Sequence, residues 1–479
     1  MQEHLKPYAI YILLCFCSGL ALAGETSDPF GTEAMLPLKP ALRLDGAAGD
    51  PCADAMPDGA LTLLDVVNLA LCNNPATREV WASSRVYAAQ LGISKADYLP
   101  SATINAAASR NQTGNAPWEN QRNIGLTLSY LLYDFGSRAA NLENARQLLV
   151  AANATQDSTV QAIFLSAVQS YYQTQATLAA LDAALESERA AKESFAAAEA
   201  RHLAGSATPA DKLQAQTAYS QARLNRITVE GNQKNAQGIL ANILGLDANR
   251  KILLEPANTM PIPDSFEGDI NALIEEARRH RPDLQAAAAQ VKAAEAGADA
   301  ARASDRPSIS LSASANQNNS AGTAWRGSSI GINLTVPIFS GYAPAYRVRV
   351  AEAQVESRNA QLEQLRLQVA LDVWTAYQHL TTATQSLRTS ADLLNSAEQS
   401  ERVALGRYKA GVGSMLDVLN AQSALASARQ QRIQSTFDWN INRATLAQAM
   451  GSLDAGLLQT MSNYSNPQPS EIPTQKTPP

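Results

Sequence analysis

An internal duplication is the feature that most constrains this chain of 479 residues. Pro75 and Pro100 recur as Pro282 and Pro307, at an offset of 207 residues. Farther along, identical residues recur at an offset of 206: Gly125 and Gly331, Tyr171 and Tyr377, Arg201 and Arg407, Gly205 and Gly411, Asp211 and Asp417, Gln216 and Gln422, Gly245 and Gly451. One deletion between the halves explains the change of offset. The constant spacing predicts two copies of one unit of about 200 residues, far longer than a solenoid repeat.

Each half contains a long stretch with hardly a helix breaker. These stretches run from about Arg138 to Ala204 and from about Ala345 to Ala410, and they are rich in Ala, Leu and Gln, which favour helix. About 67 helical residues span about 100 Å. A glycine turn follows, and a return helix of about 36 residues leads to Gly245 or Gly451. The 25-residue stretch between the paired prolines can stack end to end on that return helix, which predicts a two-rod, coiled-coil-like bundle in each half.

Between the second proline and the long helix, the hydrophobic period changes from helical to alternating. In the first half Ile104 and Leu126 belong to two such stretches, and in the second half Ile309 and Ile332 do. Each half therefore carries one hairpin of two strands, about 10 to 12 residues long, which suits a tilted crossing of a bilayer. A half-buried soluble hairpin is the alternative. Four strands cannot close a barrel and an open edge in lipid is costly, so membrane strands require several copies to share one barrel.

The two ends of the chain differ from the repeats. Lys6, an apolar run over residues 8–22 and the small residues Ala21 and Ala23 predict a signal peptide at 1–23. We expect an N-terminal extension at 24–60, the first repeat at 61–250, the second repeat at 251–453 and a disordered tail, rich in Pro, Ser and Asn, at 454–479. No later run approaches about 20 apolar residues, so no membrane-spanning helix is expected.

The sequence predicts one disulfide, and it argues against nucleic-acid binding and catalysis. Removal of the signal leaves Cys52 and Cys72, and an exported compartment favours a disulfide between them, with two unpaired thiols as the alternative. The net charge of −6 without a basic cluster argues against a nucleic-acid partner. Neither a catalytic motif, nor a metal cluster, nor a cofactor motif is present in the sequence. We therefore expect no enzyme, no cofactor and no bound metal.

Taken in order, the motifs resemble the TolC family of outer-membrane factors from about Leu61 to Leu453. The segments that carry the resemblance are Leu99-Pro100-Ser101 and Arg306-Pro307-Ser308, Tyr133-Asp134-Phe135-Gly136 and Pro337-Ile338-Phe339-Ser340-Gly341, the two turns that end in Gly205 and Gly411, and Leu416-Asp417-Val418-Leu419-Asn420-Ala421-Gln422 with its echo from Asp211 to Gln216. The resemblance implies a mainly α fold with a membrane β-barrel contribution. It further implies a homotrimer whose twelve strands form one outer-membrane barrel, embedded in outer-membrane lipid, and whose helices form a periplasmic tunnel.

The same resemblance implies roles for residues at the turns between the helices. Asp211 and Tyr408 match positions of a latch that holds the family's gate shut. Asp417 matches a pore-facing aspartate of the constriction, while Asn420 replaces a second aspartate of that ring. The turns at Gly205, Gly411 and Gly413 are where a periplasmic adaptor docks, and Gly413 stands in place of an arginine of another gate link.

The region around Cys52 and Cys72 resembles the branch exemplified by CyaE, which serves type I secretion of large toxins. This implies an inner-membrane ABC exporter as the energy source. The outer-membrane component of a multidrug efflux pump, with a proton-driven pump, is the alternative within the family. A structural coiled-coil stalk or adhesin is the alternative from another functional class. A heat-resistant trimer in detergent that conducts ions in planar bilayers indicates the channel, whereas a soluble rod without conductance indicates the stalk.

Overall fold

The structure is a computed structural model that describes residues 28–37, 59–112, 114–115, 117–256, 269–320 and 323–453. The predicted signal peptide, Cys52 and the tail at 454–479 lie outside the described residues. Among the described residues, no helix combines the length and hydrophobicity needed to cross a membrane.

The two halves of the chain contain the same elements in the same order. They are α1 (Leu63–Asn73), α2 (Pro75–Ala96), β1 (Ser101–Asn111), β2 (Glu119–Tyr133), α3 (Ser137–Leu203) and α4 (Pro209–Ile243), then α5 (Ile270–His280), α6 (Pro282–Ala303), β3 (Ser308–Ser320), β4 (Thr323–Thr335), α7 (Ala343–Lys409) and α8 (Met415–Ala449). The long helices have 67 residues each and the return helices 35 each, which agrees with the sequence analysis. The duplication is therefore structural.

A short helix precedes each proline-initiated helix, and the sequence analysis did not predict it. Helix α1 begins at a capping box, in which the Thr62 hydroxyl accepts the backbone N–H of Asp65 and the Asp65 carboxylate accepts the backbone N–H of Thr62. It ends because Asn74 is extended, as expected before Pro75, since the proline ring clashes with a helical preceding residue. Each of these short helices has 11 residues.

All four strands form one antiparallel sheet in the order β1-β2-β3-β4. The two predicted hairpins are present, and β2 pairs with β3, which joins them. The strands are 11 to 15 residues long, so the expected length of 10 to 12 was too short for β2, β3 and β4. Within the chain, β1 and β4 each pair along one side only, and the sheet is open.

The two faces of this sheet differ in polarity. Directly paired residues share a face, and Ala102, Leu128, Ala313 and Ile330 form one such apolar row across all four strands. The adjacent row on the other face consists of Thr103, Thr127, Ser314 and Ser329. Yet Ile104 and Ile330 are 73% and 77% exposed in the single chain. The apolar face therefore has no covering layer within the described residues.

The chain divides into two compact units, and each contains parts of both repeats. One unit holds the sheet, the adjoining helix ends within residues 82–153 and 286–360, and residues 28–37. In this unit Leu91 of α2 and Leu149 of α3 are buried in one cluster, which joins the two helices.

The second unit holds the remaining helices and their turns. In its largest core, Val66 of α1 packs with Phe164 and Val168 of α3 and with Leu240 of α4, and Phe437 of α8 joins them from the second repeat. A separate core in the second repeat is built by Val369, Val373, Leu380, Trp439 and Leu446. The helical turns described next belong to this unit.

Candidate gate and pore residues at the helical turns

The two turns between long and return helices are built alike. Gly205 and Gly411 have φ of 75° and 77°, the left-handed region in which glycine has no Cβ penalty. The N–H of Ser206 donates to the Arg201 carbonyl at 2.9 Å, and the N–H of Val412 donates to the Arg407 carbonyl at 3.0 Å. These bonds close the helix ends in the Schellman pattern. The predicted glycine turns are present at both positions.

At Gly413 the constraint is space and not backbone conformation, since its φ lies outside the left-handed region. A Cβ on Gly413 would stand 3.1 Å from Arg407 Cβ and 3.1 Å from the backbone nitrogen of Tyr408. Any side chain at this position must push against the last turn of α7. The turn therefore accommodates glycine where the resemblance implies an arginine in relatives.

Asp211 and Asp417 both begin a return helix. Asp211 accepts the Thr208 hydroxyl at 2.8 Å and its N–H donates back to Thr208 Oγ1 at 3.2 Å. Asp417 accepts the backbone N–H of Ser414 at 3.1 Å and donates its own N–H to Ser414 Oγ at 3.2 Å. Both are capping boxes. This shared role was not predicted, although a Ser or Thr three residues before an acidic residue is its usual signal.

The carboxylate of Asp417 is exposed and held in its ionised form. Hydrogen bonds from the Ser414 side chain and backbone lower its pKa, with a smaller contribution from the charge of Arg407. Asn420, one turn along α8, is also exposed, and both residues line a groove of about 640 Å³ between α7 and α8. Among the described residues no cluster of side chains is suited to bind a metal ion.

Tyr408 and Asp211 are not hydrogen-bonded to each other in this structure of one chain. Tyr408 is buried, at 7% exposure, and its hydroxyl has no hydrogen-bond partner among the described residues. The Asp211 side chain bonds to Thr208. A latch between them is therefore not formed in the single chain, and their role in the assembled channel stays a prediction.

Arg201 links the two turns, and the sequence analysis noted it only as a marker of the repeat. Its guanidinium lies 4.2 Å from the centroid of the Tyr408 ring, and Nη2 donates to the Tyr408 carbonyl at 3.0 Å. A cation is favourable there, both over an aromatic face and beside the free carbonyls that end a helix. Arg201 therefore ties the end of α3 to the end of α7.

The remaining predicted site residue, Cys72, lies in α1 and is disulfide-bonded. Its predicted partner, Cys52, lies outside the described residues. The Cys52–Cys72 pairing therefore stays a prediction.

Comparison with known proteins identifies relatives along nearly the whole described chain. The family described as Outer membrane efflux protein matches residues 66–246 and 273–452. Protein CyaE of Bordetella pertussis is 34% identical over 414 residues, which cover 84% of this chain and 86% of that protein. The probable efflux pump outer membrane protein TtgC of Pseudomonas putida is 26% identical over 413 residues, covering 81% and 82%. The Campylobacter jejuni CmeC outer membrane channel shares the fold, with a TM-score of 0.73 at 20% identity over 84% of this chain and 89% of that one.

Proposed function

The chain belongs to the TolC-like outer membrane efflux protein family, whose members are channels and not enzymes, and from this premise we propose that three copies form one channel-tunnel. The tunnel would lead from the periplasm, or from an inner-membrane pump, through the outer membrane to the outside. Transport through it is passive, so the chain needs no cofactor.

One observation carries the proposal: an open four-stranded sheet with one apolar and one polar face. Outward apolar and inward polar rows are what a membrane barrel requires. In hydrocarbon the free edges of β1 and β4 would leave backbone groups unpaired, each at a cost of several kcal/mol. Pairing β4 of one copy with β1 of the next removes every edge. Three copies of this sheet supply twelve strands, which supports a closed barrel embedded in outer-membrane lipid.

The helical turns are the proposed gate and docking region. Adaptor hairpins would bind near Gly205, Gly411 and Gly413, and they would transmit the action of an inner-membrane pump. Opening would be a shift between closed and open packings of the helical turns, biased by adaptor contacts. Asp417 and Asn420 would line the constriction of the closed state.

Cation preference is expected to depend on Asp417. Three symmetry-related carboxylates in a narrow aqueous neck create a negative potential, so Asp417→Asn should reduce the cation-to-anion permeability ratio several-fold in planar bilayers. Hydrogen bonds from Ser414 lower the Asp417 pKa within one chain, while the two neighbouring carboxylates of the ring would raise it, so the preference should be present at neutral pH and be lost in acid as the three carboxylates become protonated.

Ser414→Ala serves as the matched control for this titration. It removes the side-chain hydrogen bond to Asp417 and keeps the charge, so the loss of cation preference should move to higher pH while the preference at neutral pH stays. A preference unchanged in Asp417→Asn would place the constriction elsewhere.

The latch hypothesis predicts a change in conductance. The latch would be a hydrogen bond from the buried Tyr408 hydroxyl to the Asp211 carboxylate in the assembled channel. Asp211→Ala combined with Tyr408→Phe should then raise single-channel conductance, because a charge-assisted hydrogen bond of about 1.5 to 3 kcal/mol is lost. Asp211→Ala also removes the cap of α4, so Thr208→Ala is the control for the capping loss alone. Equal conductance in the double variant and in Thr208→Ala refutes the latch and leaves the channel proposal intact.

The preferred role is type I secretion of a large protein, supported by the higher identity to CyaE than to TtgC. The alternative role, the outer-membrane component of a multidrug efflux pump, is supported by the family of efflux relatives. Deleting the gene in its host tests the choice. Loss of one large exported polypeptide with unchanged drug susceptibility supports secretion, whereas raised drug susceptibility with normal export supports efflux.

A further inference from the structure

The charged side chains of the sheet are unevenly divided between its two faces. The strands contain three arginines and one glutamate: Arg110, Glu119, Arg122 and Arg326. Successive residues of a strand point to opposite faces. Steps of two residues from Ala102, Leu128 and Ile330 of the apolar row reach all three arginines and not the glutamate. Within the four strands, the apolar face therefore carries three positive charges and no negative charge in each chain.

All three arginines lie at the end of the sheet where the hairpin loops connect the strands. The loops of residues 112–118 and 321–322 join the strands at this end, whereas helices α2, α3, α6 and α7 join them at the other. On the apolar face of β2, Leu126 and Ile124 are followed toward the loop by Arg122. Neither loop contains an acidic residue. The positive charge therefore begins where the apolar rows end.

Arg110 and Arg122 are diagonal neighbours on adjacent strands. Arg110 pairs with Asn120 and Arg122 pairs with Ala108, so the two arginines differ by one step of the pairing on this face. Side chains in this relation are about 7 to 8 Å apart, within reach of each other. Both arginines are exposed, and neither has an ion pair within the part of the chain that the structure describes. Two like charges so placed repel each other, and an anion between them removes the repulsion.

The surroundings of this pair suit a phosphate at the level of lipid head groups. A guanidinium is planar, and its fork of N–H donors matches two phosphate oxygens. Asn120 and Asn319, which pair with Arg110 and Arg122, add exposed amide donors on the same face. The Arg110 guanidinium lies 5.7 Å from the centroid of the Trp118 ring, which is 56% exposed. Tryptophan is enriched where a membrane meets water, so its contact with Arg110 indicates that boundary.

We propose that Arg110 and Arg122 bind the phosphate group of a lipid in the outer leaflet of the membrane. The inference rests on the proposed function, which places the apolar face in lipid and the hairpin loops at the outside. The acyl chains of such a lipid would cover Ile124 and Leu126, while its head group lies between the two guanidinium groups. A free phosphate ion would gain only the second of these contacts, so a lipid is the better ligand.

Barrel closure would extend the site across the boundary between copies. Pairing of β4 with β1 of the next copy puts Arg326 of one copy on the strand beside Arg110 of the other, on the same face and at the same end. The lipid would then have a third basic side chain beside it, and equivalent sites would form a ring around the channel. We expect one tightly bound lipid for each chain of the trimer.

Binding of a phosphorylated lipid to the full-length trimer in detergent tests the inference. The probe is bisphosphorylated lipid A, a glycolipid, and native mass spectrometry counts the lipids bound at each concentration. Arg110→Gln with Arg122→Gln should raise the dissociation constant about tenfold or more, since each basic residue at a membrane surface contributes about fivefold. Each single variant should raise it about fivefold, which keeps the test available if the double variant does not assemble.

Arg347→Gln with Arg349→Gln is the matched control. These exposed arginines lie in the first turns of α7, at the other end of the sheet, and their replacement removes the same charge. The dissociation constant for lipid A should stay near the wild-type value. Inorganic phosphate is the second probe, and a large excess of it should not displace the bound lipid.

The outcomes separate this inference from the proposed function. Unchanged affinity in a trimeric, conducting Arg110→Gln, Arg122→Gln variant overturns the inference and leaves the channel standing. An equal loss in the control variant also overturns it, because binding would then follow total charge and not the arginine pair. Displacement by inorganic phosphate overturns the assignment to a lipid. A wild-type protein that is a single non-conducting chain refutes the proposed function itself, and the lipid site fails with it.

Discussion

Replacing Ile330 by arginine is expected to lower the amount of channel assembled in the outer membrane by about tenfold or more. Ile330 lies in the middle of β4, is 77% exposed in the single chain and shares the apolar face with Ala313. If this face meets lipid, arginine near the bilayer midplane costs about 2 to 4 kcal/mol per copy, and every barrel contains the change three times. The measurement is the amount of heat-resistant oligomer in purified outer membranes.

Ser329→Arg is the matched control, one residue away on the opposite face. Ser329 lies on the polar face, where its hydroxyl is 2.9 Å from that of Ser314. Arginine there would point into the water-filled lumen, so assembly should be nearly normal and cation permeation should fall. Normal assembly of Ile330→Arg, combined with failed assembly of Ser329→Arg, would mean that the polar face and not the apolar one meets lipid.

Gly245→Ala is expected to destabilise the helical unit by about 3 kcal/mol or more. Gly245 follows the end of α4 and has φ of 71°, where an L-residue costs about 1 to 2 kcal/mol. The added Cβ would also lie 2.5 Å from the carbonyl oxygen of Asn73, the last residue of α1. Backbone cannot move aside as a flexible side chain can, so the end of α4 must shift away from this junction. The free energy of unfolding in detergent, or the thermal midpoint, reports the loss.

Gly205→Ala isolates the conformational part of this effect. Gly205 has φ of 75°, and a Cβ there meets nothing within 4 Å. Its loss of stability should be about 1 kcal/mol, clearly smaller than that of Gly245→Ala. Equal losses for the two variants would show that the close approach to Asn73 is not a constraint.

Local sequence pattern was sufficient for the long helices and the strands of this fold. The helical period and the absence of breakers predicted both 67-residue helices, and alternation predicted the four strands. The pairing of β2 with β3 was not predictable in this way, because it joins strands from different repeats. For example, Leu128 pairs with Ala313, and no local pattern encodes a partner so distant. The short helices α1 and α5 were not predicted, because each has only 11 residues and ends at an extended residue before the proline that starts the next helix.

The positions of the candidate site residues were predictable from the repeat and the family resemblance, but their contacts were not. The offset of 206 residues identified Asp211 with Asp417, and their common capping role follows from the residues that precede them. Which residues of the two turns contact each other depends on packing between distant parts of the chain. The stacking of Arg201 on Tyr408 could therefore be seen only in the structure, although both residues recur in motifs at the turns.

The central claim is that one chain supplies too few strands to seal a pore and that identical copies pool them in the membrane. Native mass measurement of the mature protein extracted from outer membranes, followed by conductance recording of the same species in planar bilayers, tests it directly. The account predicts the mass of three chains and a conducting channel. A single-chain mass in detergent-free buffer, with no conductance on addition to a bilayer, would contradict it.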